Sequence, residues 1–234
     1  MAELATERGG GIFSRVKPTT IALSVERRGI VVFVRPGRAN RTVLVLGGMH
    51  GDEPKSVDLA LRFMELLRSC GDDTSLTRWV VAPLINPDGY ARRKRRNARR
   101  VDINRNFPTK NWALGSPRSR MFGGTAPAGE PETRAVMKLI KRYRPRRIIT
   151  IHSIGRERFC NNYDGSARAL AEKMSRHNGY PVTASIGYPT PGSFGSYAGR
   201  ELRIPTVTLE LPSTHSTKRC WTDNRDAILC CGKW

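Results

Sequence analysis

The chain has 234 residues, 38% apolar and 26% charged, which fits one soluble domain or at most two small ones. Its apolar runs reach only about seven residues, too short to cross a bilayer, and its composition excludes collagen, long coiled coil and wholesale disorder. The net charge of +21, from 41 Lys and Arg against 20 Asp and Glu, points to anionic partners or to a general Arg-rich bias.

The first twenty residues, MAELATERGGGIFSRVKPTT, have no apolar core and no small-residue cleavage site, which argues against a secretory signal. Residues 1–18, with GGGI at Gly9–Ile12, read as a flexible lead-in to a single domain spanning 1–234. Leu23–Val25 and Ile30–Val34 read as short strands split by the polar turn ERRG. Thr42–Met49 (TVLVLGGM) is β-branched and apolar and ends on a Gly pair, the pattern of a buried strand. Pro54–Ser69 reads as a helix. Pro54 suits the first turn, and Val57, Leu61, Met64 and Leu67 space as one apolar face. Trp79–Ile85 is a second buried strand, closed by the turn Asn86-Pro87-Asp88-Gly89.

Residues 86–130 are rich in Arg, Gly, Pro and Asn and show no periodicity; so long an irregular stretch in a compact chain is functional or disordered. Glu130–Arg144 returns to helix, acidic in its first turn and basic in its last, as the helix dipole favours. Arg147–Ile151 is a third buried strand. Ser166–His177 reads as a helix with Ser166 as N-cap. Pro181–Ile186 reads as a strand, Ser193–Leu202 as helical, Thr206–Leu211 as a strand and Thr222–Cys231 as a closing helix. About seven strands alternating with helices imply an α/β fold, a mixed, mostly parallel twisted sheet flanked by helices.

The five cysteines, Cys70, Cys160, Cys220, Cys230 and Cys231, are odd in number and match no disulfide scaffold or zinc ribbon. They read as reduced thiols of a cytoplasmic protein. Arg92–Arg100 (RRKRRNARR) concentrates seven basic residues in nine. His177 and His215 have no partners at metal spacing and read as surface residues; Trp79 and Phe107 read as core, and Trp112 as a loop residue.

The buried strands end in polar residues of particular kinds. The first runs into Met49-His50-Gly51-Asp52-Glu53, the third into His152-Ser153, and the last carries Glu210 within TLELP. In open α/β sheets, ligands bind where strands end and loops gather. His50 and Glu53, three residues apart across a strand-to-helix turn, can converge on one point, and His152 can add a third ligand. Two His and one Glu, with a fourth position left to water, is the pattern of catalytic zinc. Zinc acidifies water and polarises a carbonyl. A separate carboxylate must then carry the water's proton to the leaving amine, and Glu210 is the candidate. Taken singly, each residue has a blander fate: an ordinary His-Glu pair, a hydrogen-bonded core histidine, a glutamate paired with one of many arginines. Their order, each at a strand end, gives the set its weight.

On these residues the sequence resembles the zinc metallocarboxypeptidases of the carboxypeptidase A type. His50-Gly51-Asp52-Glu53 matches the first zinc motif and Asn86-Pro87-Asp88-Gly89 the NPDG turn. Arg95 and Asn97, followed by Val101-Asp102-Ile103-Asn104-Arg105-Asn106-Phe107-Pro108, match the RxN and VDxNRNFP signature. His152-Ser153 and Thr208-Leu209-Glu210 complete the series. Gly187–Tyr197 (GYPTPGSFGSY) and Gly129–Thr133 (GEPET) are similar to the bacterial murein peptide amidase branch. The first 40 residues contribute little to either likeness.

The resemblance implies an eight-stranded sheet and one zinc ion on His50, Glu53 and His152. It implies Glu210 as general base and then acid, and Arg95 as the donor to the developing oxyanion. Asn104 and Arg105 would clamp a free carboxylate on the substrate. The implied activity is cleavage of the γ-D-glutamyl–meso-diaminopimelate amide of murein tripeptide. Asp52 would suit a substrate amine, and Tyr188 and Ser193 would shape the pocket for the diaminopimelate end or, for Ser193, only start a helix. Arg100 stands where many relatives carry Gly before VDxNRN; if the backbone there has φ > 0, Arg costs roughly 1 kcal/mol. Three other functions stay open: a carboxypeptidase on ordinary peptides, a deacylase of the succinylglutamate desuccinylase and aspartoacylase branch, and a basic module binding RNA or a wall polymer.

Overall fold

The computed structural model describes residues 16–69, 76–155 and 158–233. Cys70 and the Gly9–Ile12 stretch lie outside the described residues. In chain order the strands are β1 (Lys17–Leu23), β2 (Gly29–Arg35), β3 (Arg38–Leu46), β4 (Thr77–Ala82), β5 (Arg147–Ile154), β6 (Cys160–Asp164), β7 (Val182–Thr183) and β8 (Thr206–Pro212). The α-helices are α1 (Pro54–Ser69), α2 (Pro87–Ala91), α3 (Pro131–Tyr143), α4 (Arg168–Asn178) and α5 (Thr217–Leu229). All eight strands join one sheet in the order β1-β2-β4-β3-β5-β8-β6-β7. β4, β3, β5 and β8 run parallel at its centre, β2 and β6 join them antiparallel, and β1 and β7 close the edges.

Strand alternation sorts the apolar side chains into two cores. Val43, Val45, Trp79, Val81, Ile149, Ile151, Val207 and Leu209 face α1, α4 and α5. Leu44, Leu46, Val80, Ala82 and Ile148 face the opposite way, onto Val136, Leu139 and Ile140 of α3 and onto Phe107 and Phe194. Both faces of β3, β4 and β5 are therefore buried, which explains their apolar runs. On β8 the alternate residues Thr206, Thr208 and Glu210 turn away from the first core. That face becomes the wall of a cleft.

Helix α1 has the bounds its sequence implied, and α3 falls within the expected Glu130–Arg144 with Glu132 in its first turn and Lys141 and Arg142 in its last. Other boundaries differ. The first strand is Lys17–Leu23, and Ser24 and Val25 fall in the turn that follows. Asn86–Gly89 is a helix start instead of a simple turn, since Asn86 caps α2 by accepting from the Gly89 amide at 2.8 Å. α4 begins at Arg168, two residues after Ser166, with no side-chain cap. α5 begins at Thr217 because Ser216 accepts from the Arg219 amide. Of Ser193–Leu202, Phe194–Glu201 is helical, and from Ser196 to Glu201 it is widened into a π-helical segment. Pro181–Ile186 contributes only Val182 and Thr183 to the sheet. Strand β6 (CNNYD) has no counterpart in the apolar pattern, because Asn162 and Asp164 face the cleft and Asn161 bonds Asn178 and Tyr180 on the other side.

Candidate metal centre

Two glycines shape the loop after β3. Gly48 has φ +60°, and a Cβ on Gly51 would lie 2.0 Å from the carbonyl carbon of Gly89. That close approach seats His50 and Glu53 against the start of α2. Asn86 fastens the junction, donating to Met49 O at 3.4 Å and to Arg95 O at 3.2 Å. Asp88, fully buried, takes Ser24 Oγ at 2.7 Å, the Glu26 amide at 2.9 Å and Arg28 at 2.7 Å. The β1–β2 turn, which adds little to the family likeness, thus clamps the loop that bears the site.

His50, Glu53 and His152 each present a ligand atom within 4.8 Å of the others. His50 Nδ1 lies 2.8 Å from Glu53 Oε1 and 3.1 Å from His152 Nδ1, and His152 Nδ1 lies 3.2 Å from Glu53 Oε2. All three are buried. The far ring nitrogen of His50 meets Asp102 Oδ1 at 3.2 Å, which fixes the ring with Nδ1 facing the cluster. Burial alone would lower the His50 imidazole, yet Glu53 and Asp102 raise it overall. Burial likewise pushes Glu53 up, but His50 and His152 outweigh it and hold the carboxyl well below its ordinary value. Two imidazoles and a carboxylate turned onto one buried point suit a borderline-soft divalent cation such as zinc.

The sequence signature contains Asp102 but gives it no role. It is fully buried and binds Arg95 Nε at 2.9 Å with its second oxygen, so one carboxylate orients both His50 and Arg95. Burial opposes its charge, but His50 and Arg95 pull it far below the ordinary range. Only its position two residues before Asn104 could have singled it out. Arg95 also lies 3.5 Å from Glu53. Of its basic neighbours, Arg92 pairs with Glu26, Arg96 donates to the carbonyls of Pro117 and Ser119, and Arg99 lies 3.8 Å from Glu130. Arg100 has φ +64°, the left-handed backbone that a glycine would hold without strain.

A cleft of about 1160 Å³ opens over this cluster, lined also by Asp52, Asn104, Arg105, Tyr188, Ser193 and Glu210. Glu210 pairs in register with His152 on β5 and Cys160 on β6. Burial, helped by Glu53, raises its carboxyl above the ordinary value. Arg105 is buried, donates to Asn104 O at 2.6 Å, meets Tyr188, and keeps an unpartnered Nε among the described residues. Asn104 Oδ1 accepts from the Phe194 amide at 2.8 Å, so that side chain braces the 187–197 loop. Ser193 bonds Ser196 at 3.0 Å and starts the π-helical segment at the cleft edge. Asp52 sits on the rim, 3.2 Å from Arg120. His177 is exposed, whereas His215 is half-buried beside the Phe159 ring, contrary to its surface reading. The four described cysteines are buried and free.

The zinc carboxypeptidase family model matches residues 12–166. The chain belongs to the zinc carboxypeptidase family. It is a hydrolase of that kind, with an eight-stranded mixed sheet. It is 33% identical over 201 residues to murein peptide amidase A of Escherichia coli K12, covering 80% of this chain and 78% of that one. The same-named protein of Vibrio campbellii is 30% identical over 84% of this chain and 80% of its own. The solved murein-tripeptide amidase MpaA of Escherichia coli O157 superposes with a TM-score of 0.76 at 27% identity over 97% of each chain. Bovine thrombin-activatable fibrinolysis inhibitor superposes at 0.80 with 19% identity over 94% of this chain and 90% of that one, a likeness of fold alone. Among the described residues no helix is long and apolar enough to cross a membrane.

Proposed function

We propose that residues 1–234 form a single catalytic domain, a zinc-dependent amidase acting in the cytoplasm on murein tripeptide. The bond cut is the γ-D-glutamyl–meso-diaminopimelate amide. The observation that carries this reading is a buried His-Glu-His cluster sharing one cleft with Glu210 and a buried arginine. His50, Glu53 and His152 would hold one zinc ion, which when bound supplies Lewis-acid polarisation of the scissile carbonyl and of water.

The chain's own groups do the rest. Glu210 takes a proton from the attacking water and returns it to the departing amine; its raised affinity for protons suits both transfers. Arg95, held through Nε by Asp102, offers its remaining N–H groups to the oxyanion that develops on the carbonyl. Arg105 and Asn104 receive the free carboxylate beside the scissile bond, the guanidinium keeping its charge despite burial. The identity to two murein peptide amidases supports the substrate over ordinary peptides and over N-acyl amino acids. Four buried free thiols support a reducing compartment.

The test is release of diaminopimelate from L-Ala-γ-D-Glu-meso-diaminopimelate by wild type and Glu210→Gln. Wild type should release it, and the variant should be slower by roughly a thousandfold while keeping its metal. Cleavage of ordinary C-terminal peptides instead would refute the substrate. Equal rates for the two proteins would remove Glu210 from the chemistry.

A further inference from the structure

The cleft continues past Glu210 along β6. Cys160 is opposite Glu210, Asn162 is opposite Thr208 and Asp164 is opposite Thr206. Side chains so paired share a face. Asn162 and Asp164 thus extend a polar row from the reacting centre, and Asp164 lies four residues on, roughly 13 Å along the strand. Both side chains line the cleft and both are buried.

Their hydrogen bonding is incomplete in one sense only. The amide oxygen of Asn162 is buried without a partner among the described residues. Asp164 Oδ1 accepts from Arg200 Nε at 3.1 Å, while Oδ2 lies over Gly195, where a Cβ would come within 2.1 Å of it. The unpaired amide oxygen of Asn162 and the carboxylate of Asp164 thus both face the cleft, and a buried acceptor left unpaired is costly. An ammonium, with three donors and no acceptor, is the complementary group. Arg200 is 60% exposed at its side chain and spends only Nε on Asp164, so its outer N–H groups remain for an anion.

We infer that Asn162, Asp164 and Arg200 form a subsite for a zwitterionic amino-acid end. Asn162 and Asp164 take its ammonium, and Arg200 takes its carboxylate. Asp52 is the weaker candidate for the amine, since it sits on the rim beside Arg120. The inference rests on the amidase reading and deepens it, for the distal end of diaminopimelate is such a zwitterion.

Zinc-loaded wild type, Asp164→Asn and Arg200→Ala would be assayed on L-Ala-γ-D-Glu-X, with X as meso-diaminopimelate, lysine or norleucine. Asp164→Asn should cut the preference for lysine over norleucine roughly 30-fold, and Arg200→Ala the preference for diaminopimelate over lysine roughly tenfold. Unchanged preferences in both variants would overturn the subsite. Calorimetric titration with free meso-diaminopimelate gives a readout independent of turnover. Binding about tenfold weaker in Asp164→Asn supports the subsite, and equal binding overturns it. Binding by wild type without cleavage of any of the three peptides would sink the amidase reading and leave the subsite standing.

Discussion

The central sheet and the loop at residues 86–130 hold together by different forces. β3, β4 and β5 bury apolar side chains on both faces and β8 on one, and their order comes from backbone ladders. The loop has few backbone ladders and is fixed instead by buried asparagines. Asn86 joins three segments. Asn97 donates to Glu130 at 2.8 Å and Glu132 at 3.0 Å. Asn106 donates to Gly123 O and Ala126 O and accepts from the Glu130 amide. Damage to the sheet should therefore cost stability throughout the domain. Damage to the loop should cost less stability and more chemistry, because Arg95 and Asp102 ride on it.

The largest stability effect is expected in the sheet core. Phe63 is fully buried and meets Trp79 edge-on with centroids 4.9 Å apart. Phe63→Ala should cost about 3–5 kcal/mol in denaturant unfolding, with turnover per folded molecule unchanged. A matching loss of turnover per folded molecule would break the division between sheet and loop. Asp102→Asn should cost about 3 kcal/mol, since His50 and Arg95 lose a buried anion, and should weaken zinc retention roughly 10- to 100-fold. Unaltered zinc affinity would show that His50 needs no support.

The same aspartate has a pH signature. Its folded carboxyl lies below the unfolded value of about 4, so its contribution is complete above that pH and is lost as the pH falls through the interval below it. The gap in stability between metal-free wild type and Asp102→Asn should close on acidification below about pH 4; a gap independent of pH would contradict the assignment.

Asn97→Ala should cost about 1–3 kcal/mol by leaving Glu130 and Glu132 short of a donor. It should lower kcat/KM by a larger proportion than Phe63→Ala does, by displacing Arg95. The smallest effect is a gain. Arg100→Gly relieves the left-handed backbone at φ +64° and should stabilise by about 1 kcal/mol, with no change in kcat/KM. A loss of stability there would mean that the arginine makes a compensating contact.

The difference between the regions also governs what the sequence discloses. Helix α1 is legible because Pro54 marks its start and its apolar residues repeat at helical spacing. β6 is not, since its Asn162 and Asp164 face a polar cleft and its Asn161 is buried through hydrogen bonds. In the loop no period exists to be read, and the family likeness rests on residue types in order. That likeness picks out His50, Glu53, His152 and Glu210, which the fold brings to one cleft. It does not assign Asp102, whose partner His50 is 52 residues away. Nor does it disclose the three partners that Asp88 takes from the β1–β2 turn, or the pairing of Asn162 and Asp164 with β8. Each depends on contacts between segments far apart in sequence.

Whether His50, Glu53 and His152 hold zinc is read from zinc titration of the metal-free chain, with the ligands identified by X-ray absorption, for wild type, Glu210→Gln and Glu53→Ala. Wild type and Glu210→Gln should each bind about one zinc through two imidazoles and a carboxylate, and Glu53→Ala should bind far more weakly. Absence of zinc binding by wild type, or equal zinc binding by Glu53→Ala, would contradict a zinc site on these three residues.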